Sequence, residues 1–356
     1  MHKMRFERRP TLPIMIQLIN SIIFVLLALA FCGMFMSVLG FNPLSVYKAM
    51  MLDIISSKGI KNSIIAGLPL VFCGLGVAFG YRMNMNNIGG DGQYALGAVF
   101  CIWFALYGPV MPPALKITVM FLLALAGGAA AALIAAIPKA LWNVSETISS
   151  MMLNYIILYV LNYLMYGPWK EKGQMIAQTT QIKKKYWLPE IGDTGISTVL
   201  IIAVVIAVFL YWFHKKTTKG YEMEVVRRSP RAAIYAGINV KLNIILVLAI
   251  SGAICGLAGF AQITSILHRA QADMPAGAGY TGIVIAYLAG LNPIAVVIVG
   301  LLFGALQFSA VSVQVLGVPS QIATMIQGSI MLFVIIGSFF NRYRLIRIDG
   351  SAERGE

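Results

Sequence analysis

The chain reads as an all-α polytopic membrane protein of about ten transmembrane helices, and three observations carry that reading. Of its 356 residues 59% are apolar and only 11% charged, whereas soluble domains carry about 25% charged residues. Apolar runs close to the ~20 residues that cross a ~30 Å hydrocarbon core as helix recur from Ile14 to Phe340. The basic residues lie in short segments between these runs. Lipid headgroups and topology therefore explain the net charge of +14, and nucleic acid is not needed to account for it.

The first run, Ile14 to Leu39, follows a basic start that imitates a secretory leader. Its 26 uncharged positions outlast the about 7–15 residues of a signal h-region, so it is read as a retained anchor. Further spans fall near 63–80, 92–107, 114–137, 147–166, 196–213, 242–264, 280–290, 293–309 and 319–340. They form a single transmembrane domain, 1–356, with a water-exposed loop at 214–241. An even number of spans puts both termini on one side. With the termini in the cytoplasm, inner segments hold 17 Lys and Arg and outer segments 10, which follows the positive-inside bias. Gly167 to Gly195, with Lys183, Lys184 and Lys185, becomes a long outer loop.

Two of the runs, Tyr94 to Tyr107 and Tyr280 to Gly290, are too short to cross alone. Each follows a Gly-rich polar stretch, Asn84 to Gln93 and Ala272 to Tyr280. Short interrupted segments at matching places in two halves point to a transport site. A faint repeat supports two halves, because Cys73-Gly-Leu-Gly76 and Cys255-Gly-Leu-Ala258 each precede their break by about the same distance. The second and seventh spans run in opposite directions, so the repeat is inverted.

Several chemistries are poorly supplied. Ion-driven carriers bind the coupling ion with ionisable or specialised polar groups at membrane depth. Here Asp91, Glu146 and Asp273 sit near boundaries or breaks. An ion-coupled secondary transporter, or a channel for a small neutral solute, is therefore the alternative rather than the leading reading. His2, His214 and His268 are dispersed, and Cys32, Cys73, Cys101 and Cys255 lie singly inside apolar runs. Neither a metal site nor a catalytic nucleophile is expected. No Gly-x-x-x-x-Gly-Lys-Ser/Thr loop occurs, so ATP and Mg, where they drive transport, belong to another polypeptide.

The segment Gly220 to Asn239 is the most informative. Ser229 suits an N-cap, Pro230 the first helical turn, and Gly237 a C-terminal stop, which predicts a short helix over Arg231 to Ala236 outside the membrane. The stretch from Arg228 through Ser229, Pro230, Arg231, Ala232, Ala233, Tyr235, Ala236 and Gly237 resembles the coupling helix of ABC importer permeases of the branched-chain amino acid, ribose and nucleoside type. Met85 to Gln93, Leu257-Ala-Gly259 and Gly279 to Pro293 resemble the same family. Within it, Asn143 to Tyr155 is similar to nucleoside importer permeases, with Val144 and Ser145 inserted between Asn143 and Glu146.

The resemblance implies a permease in the bacterial inner or plasma membrane that pairs with itself or a sister chain. It also implies an ABC ATPase subunit holding ATP and Mg, and an extracytoplasmic solute-binding protein that delivers a nucleoside or sugar. This chain itself carries no cofactor. Candidate pathway residues are Asn84, Asn86, Asn87, Gly89, Gly90, Asp91 and Gln93 at the first break, with Asn154 and Gln262. The competing expectation is structural, since a helix break in lipid must pair every backbone group within the protein. The small-residue run Ala124 to Ala132 is expected to allow close helix packing inside the chain.

Overall fold

The computed structural model describes residues 3–8, 14–192, 195–312, 314, 317 and 319–348. His2, Arg9 and Arg354, which entered the expectations for charge and chemistry, lie outside the described residues. The chain is predominantly helical and falls into two packing units, Met1–Asp53 with Ser309–Glu356, and Ile54–Phe308.

In the first unit, α1 (Ile14–Val38) lies along α13 (Ser320–Arg342). The pairing is apolar: Phe24 stacks on Phe340 and Phe31 meets Phe333, each at 5.9 Å between ring centres. Two features were not anticipated. A helix α2 (Pro43–Ile55) folds back so that the Tyr47 hydroxyl donates to the Leu29 carbonyl at 2.7 Å. Its mix of Ser45, Lys48 and Asp53 with apolar residues hides it from a search for uninterrupted apolar runs. The second feature is an antiparallel ribbon of β1 (Lys3–Arg8) and β2 (Tyr343–Ile348), with Lys3 opposite Ile348 and Arg8 opposite Tyr343. The alternation of Met4 and Phe6 with charged neighbours is the period-2 pattern of a strand.

The second unit contains α3 (Ser57–Tyr81), α4 (Gly90–Tyr107), α5 (Pro113–Trp142), α6 (Glu146–Tyr166), α7 (Val199–Lys216), α8 (Thr218–Arg228), α9 (Pro230–Tyr235), α10 (Val240–Ala261), α11 (Ala278–Leu288) and most of α12 (Pro293–Ser312). Six of the described helices are long and apolar enough to cross a membrane, namely α3, α5, α6, α7, α12 and α10 with its extension to Ile266. Shorter apolar helices occur at Ile23–Val38, Ala278–Leu288 and Thr324–Gly337.

The packing displays the inverted repeat directly. α3 and α10 cross antiparallel: the Ser251 hydroxyl donates to the Gly76 carbonyl at 2.6 Å, and the Cys255 thiol reaches the Cys73 carbonyl at 3.8 Å. The two halves then exchange partners. Gly97 of α4 lies against Gly256 of α10, while Gly282 of α11 lies against Gly74 of α3. Gly128 of α5 meets Gly252 and Gly256, so the small-residue run packs within the chain as expected. A side chain at these crossings would strike backbone, which is how membrane helices without a hydrophobic driving force gain close contact.

Candidate functional site

The first break joins α3 to α4 and is closed by side chains. Asn84 adopts φ +56° and is exposed, as is Asn86, whereas Asn87 is buried. The Asn87 amide donates to Gln93 Oε1 at 2.9 Å and to the Ser251 hydroxyl at 2.7 Å. Its oxygen accepts from the Gly89 N–H at 3.0 Å and from Gln93 Nε2 at 2.8 Å. The Ser251 hydroxyl in turn donates to the Gly76 carbonyl, so a polar chain runs from the break into the α3–α10 crossing. Asn154 on α6 accepts from the Gly92 N–H and donates to the Ile88 carbonyl, both at 2.8 Å. Glu146 pairs with Lys139 at 3.0 Å and accepts from the Asn86 N–H at 3.3 Å. Free backbone groups of the break are thus met by Glu146, Ser150 and Asn154 of α6 and by Asn87 itself, as a water-poor surrounding requires.

The N-termini of α4 and α11 meet. Gly90 lies on Gly279, and buried Asp91 accepts from the Gly279 N–H at 2.6 Å. A carboxylate at a helix N-terminus complements the positive end of the helix dipole. Gln262 stands apart from this cluster, half-buried in a π turn (Gln262–Ile266) that extends α10. Asn87 and Gln93 are thus bonded to each other, Asn154 and Asp91 bond the neighbouring backbone, and Asn84 and Asn86 lie on the surface beside them.

The second break is held largely by backbone of the Gly167 to Gly195 loop, with Asn162 of α6 exchanging two hydrogen bonds with Asp273 at 2.8 and 3.0 Å. Segment 177–188 of that loop runs beside residues 264–272. Thr179 N–H donates to Ala270 O and Ile182 N–H to His268 O, both at 2.9 Å; Leu188 N–H donates to Thr264 O at 3.1 Å and Ala272 N–H to Ala177 O at 3.0 Å. The Thr179 hydroxyl accepts the Ala270 N–H at 3.1 Å. Trp187 stacks flat on His268 at 3.6 Å between ring centres, and burial lowers the imidazole pKa. Sequence reasoning read this loop only for its lysines and missed the strap. Its one local signal was the run of Gln178, Thr179 and Thr180 between charged stretches.

At the other end of the unit, α8 and α9 build a rigid projection. Thr217 caps α8 through the Gly220 N–H at 3.0 Å. Asn243 of α10 donates to Glu222 at 3.0 Å and so ties α8 to the crossing helices. Glu224 is clamped by Arg227 at 2.6 Å and Arg228 at 2.8 Å, and the hydrogen bonds from Arg227 first and then Arg228 hold its carboxyl down to about 2. Ser229 caps α9 through the Ala232 N–H at 3.2 Å, and Pro230 opens the helix. The stop is a left-handed Gly237 at φ +76°, with the Ile238 N–H returning to the Ala233 carbonyl at 3.0 Å. Ala233 is buried within the chain, so it is not part of the outer face. Arg231, Ile234 and Tyr235 form that face, with Ile234 64% and Tyr235 93% exposed.

Crossing helices with an internal inverted repeat, two broken helices meeting at their N-termini and a capped helix projecting from one end define a membrane transport subunit. Residues 59–335 match the branched-chain amino acid transport system permease component family. The chain belongs to that family: it is the multi-pass permease component of an ABC importer. It is 30% identical to the glucose ABC transporter permease TsgB13 of Haloferax volcanii, covering 96% of this chain and 93% of that one. It is 30% identical to the guanosine ABC transporter permease NupP of Bacillus subtilis, covering 89% and 92%. It is 29% identical to the nucleoside ABC transporter permease NupB of Lactococcus lactis, covering 83% and 85%.

Proposed function

We propose that the chain, paired with a second permease copy or sister, forms the translocation pathway of an importer for nucleosides or related sugar-containing solutes. The observation that carries the coupling half of this reading is the α9 projection. Six helical residues are fixed by an N-cap, a proline and a left-handed stop, yet their outward face presents Ile234 and Tyr235 to water. An apolar, rigid helix face is what a groove on a partner protein recognises. In this reading the groove belongs to an ATPase subunit that holds ATP and Mg, and this chain hydrolyses nothing. The substrate half rests on relatives named for guanosine, nucleoside and glucose transport.

The chain sits in the bacterial inner or plasma membrane. Helices α1, α3–α7 and α10–α13 supply about ten crossings, with both termini and α9 in the cytoplasm. A solute-binding protein docks outside, ATP binding closes the ATPase pair, α9 moves, and the permease pair opens inward. The candidate residues at the first break border the pathway, with Asn87, Asp91, Gln93 and Asn154 holding its shape. The test is uptake by proteoliposomes containing the permease pair, ATPase and loaded binding protein. ATP-dependent uptake of labelled guanosine exceeding that of glucose is expected. Guanosine uptake that needs no ATP and follows a proton or sodium gradient would contradict the reading.

A further inference from the structure

Two helices with equally open faces differ in what they expose. The outward face of α7 is hydrocarbon: Ile201, Val204, Val205, Val208, Phe209 and Trp212 are all exposed. That face suits lipid. On α6 the buried stripe is Ser150, Asn154, Ile157, Leu161 and Met165. Directly opposite stand Tyr155, Tyr159, Tyr163 and Tyr166, exposed by 48, 72, 70 and 64%. They fall at i, i+4, i+8 and i+11, one strip of a helix. Tyr155 is close to the centre of α6, so the strip covers the outer half of the crossing, about 16 Å at 1.5 Å per residue. Tyrosine suits the membrane rim, where its hydroxyl meets water. A phenol at mid-depth in lipid has no such partner, and the Tyr159, Tyr163 and Tyr166 hydroxyls bond to nothing among the described residues.

The strip reaches the broken helices at its Tyr155 end. Tyr280, exposed on α11, follows the Gly279 whose N–H bonds Asp91; its hydroxyl lies within hydrogen-bond reach of the Tyr155 hydroxyl and also accepts from Asn154 of the buried stripe at 3.4 Å. It ends at Tyr166, next to the outer loop. Small residues build tight helix–helix seams in membranes, and this face has none.

We propose that the tyrosine face of α6, continued by Tyr280, is the wall of the pathway along which a solute with an aromatic ring, a nucleobase carrying its sugar, passes by successive stacking. The ring faces take the base and the hydroxyls take the sugar. Several equivalent weak positions in a row favour passage over retention. The proposal deepens the nucleoside reading and rests on it.

The test uses the complete importer in proteoliposomes. Replacing Tyr159 and Tyr163 together by Leu is expected to lower guanosine uptake about tenfold, the loss of one stacking step, with ATPase co-purification unchanged. The paired Phe replacement, which keeps the rings and removes the hydroxyls, is expected to lose less uptake than the Leu pair but more than none. Because Cys32, Cys73, Cys101 and Cys255 are buried, Tyr159→Cys gives a single reactive thiol. It is expected to react with a water-soluble methanethiosulfonate, more slowly in excess guanosine. Full uptake by the Leu pair in an intact complex overturns the proposal. So does a Cys at 159 that resists the reagent and instead crosslinks two permease chains, which would make the face a subunit seam. A wild-type importer that moves glucose and no nucleoside defeats the nucleoside reading, and with it the base-stacking role; water access at position 159 then reports separately whether the face lines the pathway.

Discussion

The two helix breaks are counterparts in the repeat, but they are closed by different means. The α3–α4 break is filled by buried side chains, Asn87 and Gln93 with Ser251 from α10 and Asn154 from α6. The α10–α11 break is strapped mainly by main-chain hydrogen bonds to the 167–195 loop, with Thr179, Asn162 and Asp91 adding side-chain contacts. A side-chain network in a water-poor interior is costly to leave half-made, so it behaves as a fixed joint. The strap joins a loop to the break by a short row of bonds, with Thr179 and Ala270 buried but Thr180, Gln181 and Lys183 to Lys185 exposed, and such a segment opens at lower cost than a helix crossing. The symmetry of the fold therefore conceals a difference: one break is locked into the helix core, and the other is tied to a loop.

The largest expected effect lies at the fixed joint. Asn87→Leu removes an amide that serves Gln93, Ser251 and the Gly89 N–H together, leaving several buried groups unpaired at about 1–3 kcal/mol each. Little folded protein should be recovered from membranes, and melting in detergent should begin well below wild type. A variant of wild-type yield and melting temperature would remove the distinction between the breaks.

At the strap the expected loss is smaller. Thr179→Val deprives the Ala270 N–H of its hydroxyl partner, worth about 1 kcal/mol. Hydrogen exchange should quicken at residues 179–188 and 264–272 while α3 and α10 keep their protection. Exchange that rises equally throughout would show that the strap is not a separate opening unit.

The smallest effect is one of pH. Burial against Trp187 places the folded pKa of His268 below its ordinary 6.5. The open strap then takes up a proton first, so strap stability is full above about pH 6.5 and falls as pH drops through the folded value. Faster exchange of the 264–272 amides at pH 5 than at pH 7.5, after correction for intrinsic rates, is expected. His268→Phe should abolish the difference, and a pH response that survives that change would assign it to another group.

Much of this architecture was legible in the residues because membranes impose long apolar periods and because caps are local. Ser229, Pro230 and Gly237 delimited α9 before any contact was known. The two Gly-rich stretches marked both breaks, and the Cys-Gly-Leu pair marked the repeat. What the sequence could not disclose depends on partners far apart in the chain. Nothing local to Asn87 reveals Ser251 as its partner, or separates buried Asn87 from exposed Asn84 and Asn86. Gln262 looked equivalent to Asn154 yet stands outside the network. Ala233 reads like the rest of α9, and only packing shows that it turns inward while Tyr235 turns out. Helix α2 and the terminal ribbon escaped because their apolar residues are interleaved with charges.

The coupling role of α9 is the central claim, and Tyr235→Asp tests it most directly. Tyr235 is 93% exposed, so the change leaves the permease's own packing untouched, whereas a carboxylate pressed into a partner's apolar groove would be desolvated without a counter-charge. Co-purification of tagged permease with its ATPase, measured beside guanosine uptake, is the experiment. Wild-type membrane levels with both ATPase recovery and uptake lost are predicted. Undiminished recovery and uptake would show that α9 is a cytoplasmic turn without a part in coupling.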